Sequence, residues 1–263
     1  MHAMRERCQA VVVDFLRAGG RVTGEVVAYR DINLPRRMFA GHDLGGLVYV
    51  TQLAGYGTTI EHKTGDVYSA TLPNGLTFES GTSGFVDTMC MLVERFVAEE
   101  YAWLKVGGHV VIDVGANIGD SAIYFSMRGA NHVYGYEPNA MACQAARRNI
   151  EMNGVKNVDI IQAAIGGACP PGDDCITFGE ALRRAVAEHP GAAIACKIDC
   201  EGCEFEVFAP GVLSADRVRD VSQLMIEYHW KGPDPICEVL AQLGFKAEVS
   251  AGPPGVGWIR AER

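Results

Sequence analysis

Residues 111–121 put two carboxylates, Asp113 and Asp120, around a glycine-rich turn that contains Gly115, Ala116, Asn117 and Gly119. An apolar strand runs into this turn and a helix, residues 122–127, runs out of it. That is the strand–loop–helix arrangement that aims backbone amides at a ligand. A dinucleotide fingerprint, G-x-G-x-x-G, would need glycine at positions 113 and 118, where Asp113 and Ile118 stand. Asp113 and Asp120 would repel a pyrophosphate, but they suit the ammonium and sulfonium groups of S-adenosylmethionine (SAM), which carries no phosphate. Glu137, with Pro138 beside it, follows the apolar run 132–136 about 20 residues beyond the loop, where an acid can accept both ribose hydroxyls.

A second set of chemically capable residues lies further on. Strands of an open α/β sheet present ligands at their carboxyl ends, so the ends marked by Asp113, Glu137, Gln162, Ala163, Asp199 and Glu227 should share one edge. Gln162 and Ala163 are expected to flank the adenine, and Glu201 the substrate. Glu227 and His229 are two apart and so face one side of a strand, with Asp199 on its neighbour. This trio allows a metal-free mechanism in which His229 takes an acceptor proton while a carboxylate orients the imidazole. It also allows a divalent ion held by all three. No spacing demands an ion, so the metal-free base is the expectation and no metal site is assigned. Lys197, on the same strand face as Asp199, reads as a structural ion pair. Cys196, Cys200 and Cys203 match a C-x3-C-x2-C iron–sulfur spacing, yet Cys196 falls inside an apolar strand, so they are expected to be buried thiols.

Val111–Asp120, Tyr136-Glu137-Pro138, Lys197-Ile198-Asp199-Cys200-Glu201-Gly202 and Ile226-Glu227-Tyr228-His229 together resemble the FkbM family of SAM-dependent methyltransferases, over roughly residues 95–250. The resemblance implies that Asp113, Gly115, Asn117, Gly119 and Glu137 hold SAM. It implies methyl transfer to an oxygen of a small molecule or sugar, and a segment around Glu99, Glu100 and Tyr101 able to close over the cofactor. Cys200 and Cys203 depart from the Val and Ala common there in that family.

The elements that must position these groups fall into two regions. Residues 1–105 read as a small N-terminal α+β cap: an amphipathic helix over 4–18, β-prone runs at Val26–Tyr29, Leu47–Val50 and Val67–Leu72, and a hairpin turn at Pro73-Asn74-Gly75. A helix over Thr88–Leu104 leads to Gly107-Gly108. Residues 106–263 read as the SAM-binding domain, with strands and helices alternating. Helices are expected over Ala140–Asn153, from a capping box at Thr177-Phe178-Gly179-Glu180 to His189, after Ser214, and from Asp234-Pro235 to Gly244. Strands are expected at Val158–Ala164, Ala192–Asp199, Gln223–His229, Phe245–Ser250 and Val256–Ala261. The fold class is therefore α/β: a class I methyltransferase (Rossmann-like), mostly parallel seven-stranded sheet ending in a β-hairpin.

At 263 residues and 48% hydrophobic the chain has ample core, and a formal net charge of -9 argues against non-specific nucleic-acid binding. No apolar run approaches 18 residues, so no membrane segment is expected and the cytoplasm is the expected compartment. Nine cysteines without a leader pattern read as free thiols more than as a disulfide framework, with a Cys169–Cys175 bridge the one pairing left open. Two rival readings remain: a SAM-binding module without turnover, and a nicotinamide-dependent oxidoreductase, which Asp113 and the missing third glycine weaken.

Overall fold

The structure is a computed structural model that describes residues 11–39, 46–169, 174–252 and 255–263. It divides into two compact units, Met1–Glu100 and Tyr101–Arg263.

In the first unit, residues 11–17 are helical; residues 4–10 of the expected helix lie outside the described residues. Two antiparallel three-stranded meanders follow, Arg21–Val22, Val26–Tyr29, Ile32–Pro35 and Thr59–His62, Val67–Thr71, Thr77–Gly81. The Pro73-Asn74-Gly75 turn joins the last two strands as expected. Leu47–Val50, expected as a strand, instead opens a helix over Leu47–Tyr56. Four β-prone residues mislead here, because over ten residues Leu47, Val50, Leu53 and Ala54 recur at helical spacing and are all buried. Gly57, in left-handed backbone at φ 95°, stops the helix. The helix expected over Thr88–Leu104 is three pieces: an α-helix Phe85–Leu92, a π-turn Val93–Val97 and a 3-10 turn Glu100–Trp103, with Glu99 between them at φ 50°.

The second unit carries the sheet. Its strands are β1 Val110–Val114, β2 His132–Tyr136, β3 Val158–Ile161, β4 Ile194–Ile198, β5 Val221–His229, β6 Lys246–Ala251 and β7 Val256–Glu262. They lie in the order β6-β7-β5-β4-β1-β2-β3. The pairs from β3 to β5 are parallel, and β7 runs antiparallel to both β5 and β6. This terminal hairpin on a parallel sheet is the class I methyltransferase fold. β1 and β4, Val-Val-Ile-Asp-Val and Ile-Ala-Cys-Lys-Ile, are buried at every position, as central parallel strands covered on both faces must be. Only Asp113 and Lys197 interrupt them with charge, and the two are ladder partners.

The helices are α1 Asp120–Met127, α2 Ala140–Met152, α3 Phe178–Glu188, α4 Glu204–Val207 and α5 Asp234–Gln242. Asn139 caps α2 by accepting from the amides of Met141 and Ala142, and Thr177 and Glu180 form the expected capping box of α3. Two details differ from expectation. The strand expected over Val158–Ala164 ends at Ile161, and Ala164–Gly166 pairs instead with Cys175–Thr177 in a separate two-stranded sheet. Residues after Ser214 form turns rather than a helix, while α4 is helical where the sequence pattern gives no helix signal. No described helix is long and apolar enough to cross a membrane.

Candidate functional site

The loop between β1 and α1 is shaped by close backbone approach. Gly115 sits at φ 79°, and a Cβ placed there would lie 1.8 Å from the carbonyl oxygen of Asp199. Only glycine lets the β1 loop pass the end of β4 at this distance. Asn117 also adopts left-handed backbone, at φ 43°, and Gly119 does so at 81° against Ala146. The amides of Gly115 and Ala116 donate to the carbonyl of Tyr136, which ties the loop to the end of β2. Directly after β2, the half-buried Glu137 accepts from the Asn117 amide at 3.1 Å through Oε2 and from the Asn139 amide at 2.8 Å through Oε1. Each oxygen keeps a second lone pair for an incoming hydroxyl, so a ribose diol fits this carboxylate.

Asp113, expected to hold SAM, lies inside the fold. Its side chain is wholly buried, Ser121 donates to its Oδ2 at 2.6 Å, and the Lys197 ammonium lies 3.1 Å from Oδ1 as an ion pair without hydrogen-bond geometry. Asp113 thus anchors the loop from beneath rather than lining an open surface. Lys197 is 2% exposed and spends its other protons on the carbonyls of Val114 and Gly115, at 3.2 and 2.7 Å, and lies 3.7 Å from Asp199 Oδ2. The expected structural ion pair is present, and it holds the cofactor loop to β4 by its carbonyls. Asp120 is buried at the start of α1, Ala163 is buried, and Gln162 and Pro138 are exposed beyond their strands.

At the other half of the edge, Asp199, Glu227 and His229 come together as the two-residue alternation implies, with ligand-capable atoms within 4.8 Å of one another. Tyr101, itself fully buried and stacked on Phe125, donates its hydroxyl to Asp199 Oδ2 at 3.2 Å. His229 Nε2 lies 4.0 Å from Asp199 Oδ1 and 3.9 Å from the exposed Glu201. These separations exceed hydrogen-bond reach. The imidazole is oriented by a residue that the sequence does not single out, Glu204. This carboxylate is fully buried; its Oε1 accepts from the His229 amide at 2.9 Å and lies 3.2 Å from Nδ1, and its Oε2 accepts from the Gly202 amide at 2.8 Å. A carboxylate beside Nδ1 favours the tautomer that carries its proton there, and Nε2 then lies on the side of Asp199. Glu204 reads in sequence as an ordinary acid, and only the proximity of β5 to α4 gives it this task.

The cysteine expectation needs correction. Cys90, Cys143, Cys196 and Cys237 are free, but Cys200 and Cys203 form a disulfide, as do Cys169 and Cys175. Cys196 is wholly buried within β4, and burial pushes its thiol well above the usual range. The three sulfurs of the C-x3-C-x2-C spacing therefore do not act as one set.

Fold and loop define a SAM site of class I type. The family model that matches, for ribosomal protein L11 methyltransferase (PrmA), covers residues 59–169. A ribosomal protein L11 methyltransferase from Caldanaerobacter subterraneus subsp. tengcongensis is 34% identical over 92 residues, which are 35% of this chain and 27% of that protein. One from Lactobacillus johnsonii is 38% identical over 92 residues, again 35% and 27% of the two chains. This chain therefore aligns with little more than a quarter of the length of those relatives. A ribosomal protein L11 methylase structure from Lactobacillus delbrueckii subsp. bulgaricus superposes with a TM-score of 0.40 at 17% identity, over 67% of this chain and 78% of that one.

These matches overturn the FkbM resemblance, and with it the expected small-molecule or sugar acceptor, since the matching proteins are named for a protein substrate. The reason is physical. A glycine turn followed by an acid after the next strand answers to a cofactor, so these two motifs by themselves say nothing of the acceptor.

Proposed function

We propose that this protein is a SAM-dependent methyltransferase whose acceptor is a group on a protein. The observation that carries the methyltransferase reading is the continuous edge from Glu137 through Gly115 to His229, where a cofactor cradle and an oriented imidazole adjoin across Asp199. The likeness to L11 methyltransferases, which runs over residues 59–169 and so extends beyond the glycine turn and Glu137, supports a protein acceptor.

Bound SAM supplies an electrophilic methyl group. Glu137 holds the ribose hydroxyls, and the loop from Gly115 to Gly119 shapes the wall around the cofactor, with Asp120 behind it at the start of α1. Asp113 and Lys197 fix that loop from below. Gln162 and Ala163 border the adenine end. Glu204 holds the proton on Nδ1 of His229, so that Nε2 removes the proton from the acceptor as it attacks. Asp199 faces the imidazolium that results and stabilises it, and Glu227 and Glu201 add negative charge on the acceptor side. General-base assistance of this kind supplies about 10²–10⁴ in rate. A metal-free mechanism is favoured because Asp199 already faces the Lys197 ammonium and the Tyr101 hydroxyl.

Incubation with methyl-tritiated SAM and ribosomal protein, with L11 and the remaining proteins resolved by electrophoresis, tests the proposal. Label should enter a protein band, be lost with His229→Ala, and be insensitive to chelator. SAM binding without label in any protein would remove the acceptor class; loss of label with chelator, restored by magnesium, would remove the metal-free mechanism.

A further inference from the structure

The Cys200–Cys203 disulfide closes a ring around Glu201 and Gly202, immediately after Asp199. Closing so short a loop removes little chain entropy, so stabilising the fold is a poor account of this bond. Its location is more informative. Both enclosed residues sit in left-handed backbone, Glu201 at φ 56° and Gly202 at 117°. For glutamate that conformation is unfavourable and persists only where its surroundings impose it. The ring thereby sets where Glu201 stands, 3.9 Å from His229 Nε2.

One carboxylate connects the ring to the imidazole. Glu204 takes the Gly202 amide on Oε2 and the His229 amide on Oε1, and Cys200 Sγ lies 3.5 Å from Oε2. A disulfide sulfur has no proton to give there; a thiol at the same place donates S–H to that oxygen. Both sulfurs belong to half-buried residues, whereas Cys196 is sealed in the sheet.

We propose that Cys200-Glu201-Gly202-Cys203 is a reversible dithiol–disulfide site that controls the orientation of His229. This rests on the reading of His229 as the acceptor-side base. In the reductive direction a thiolate of an external dithiol attacks one ring sulfur and breaks the S–S bond. The mixed disulfide is resolved by the reductant's second thiol. Two electrons pass from the dithiol to the pair, the reductant leaves as its disulfide, and protons end on Cys200 and Cys203. In the reduced form the ring opens, Glu201 leaves its left-handed conformation, and Glu204 gains a donor that competes with the His229 ring.

The test equilibrates the full chain in buffers of graded reduced-to-oxidised dithiothreitol ratio, traps thiols by alkylation and maps Cys200 and Cys203 by mass spectrometry. In parallel, long-range proton–nitrogen NMR follows the His229 imidazole, and calorimetry follows SAM. The pair should titrate as one two-electron couple and His229 resonances should differ between the forms. SAM affinity should hold within about threefold, and protein methylation should change roughly 5- to 150-fold, the usual span of such couplings. Cys203→Ser should give the reduced-form His229 spectrum at every ratio. A disulfide that stays closed across all buffers, identical His229 spectra in the two forms, or a reduced protein that holds stoichiometric zinc on Cys200, Cys203 and Glu204 would each overturn the proposal. SAM failing to bind either form would instead strike the methyltransferase reading and leave the redox titration to judge the dithiol site.

Discussion

Replacing Glu204 by glutamine keeps the volume and removes one acceptor oxygen, and the hydrogen bonds around that carboxylate set the cost. The wild-type carboxylate serves three N–H groups: the amides of Gly202 and His229 and the Nδ1 proton of His229. A glutamine has one oxygen. If that oxygen takes the His229 side, its NH2 opposes the Gly202 amide, donor against donor. If it takes the Gly202 side, its NH2 opposes the His229 amide, and Nδ1 can only accept, which moves the ring proton to Nε2. Either way at least one buried N–H is orphaned, a loss of about 1–3 kcal/mol, to which the weakening of charge-assisted bonds adds a similar amount. Stability by urea unfolding should therefore fall about 2–6 kcal/mol. Protein methylation should fall roughly 10²–10⁴ through loss of the oriented base, with SAM affinity unchanged. The NMR tautomer readout needs no acceptor: wild type should show the proton on Nδ1, and E204Q should show a substantial Nε2–H population. A folded E204Q with wild-type tautomer and wild-type methylation would refute the chain of reasoning from Glu204 to His229.

Glu137→Ala should cost about 1.5–3 kcal/mol of SAM binding, ten- to a hundredfold in Kd by calorimetry; a folded variant with unchanged affinity removes Glu137 from the ribose. Lys197→Met should destabilise the protein by about 3–5 kcal/mol in urea, because it strands the wholly buried Asp113, and adding Asp113→Asn should recover part of that loss; two additive losses would show that the pair is not coupled. Asn139→Ala should cost about 1 kcal/mol by removing the α2 cap, a loss that a full-length thermal melt can detect. The Tyr134 hydroxyl, donating at 2.6 Å, and then Arg184 hold the Glu188 carboxyl below the usual glutamate range. A depressed folded value stabilises above the unfolded pKa, about 4.3, and that contribution fades as pH falls through the folded value. Tyr134→Phe should flatten the acid limb of the Tm–pH curve, and an unaltered limb would count against the assignment.

The sheet is readable because its signals are local. β2 starts and stops at His132 and Tyr136 as the sequence indicates, and Thr177 with Glu180 marks the start of α3 from four residues alone. The hairpin of β6 and β7 is visible from its alternation and intervening glycines, although Pro253 and Pro254 within it lie outside the described residues. Short windows mislead. Leu47–Val50 has β-branched character, but its neighbours up to Tyr56 make the helical stripe, and burial of that stripe decides. The break at Val93–Val97 is hidden for a related reason: a π-turn shifts the register while leaving apolar residues at nearly helical spacing, so Phe96, Tyr101 and Leu104 remain buried.

At the site, legibility depends on whether a residue's constraint comes from backbone or from a neighbouring strand. Gly115 is glycine because a Cβ would meet Asp199, and that demand shows in sequence as a glycine in a strand–loop–helix turn. Asp113 is legible as special, but an acid at a strand end looks the same in sequence whether it faces open space or a buried lysine. Nothing local distinguishes the two; the ladder pairing of Asp113 with Lys197 does. Glu204 is the extreme case, because its three donors come from Gly202, two residues away, and His229, 25 residues away. The proposed acceptor side is thus built from contacts between β4, α4 and β5, all beyond residue 169, where the family match ends. The likeness thus favours a protein as acceptor without reaching the contacts around His229, and labelling decides which protein it is.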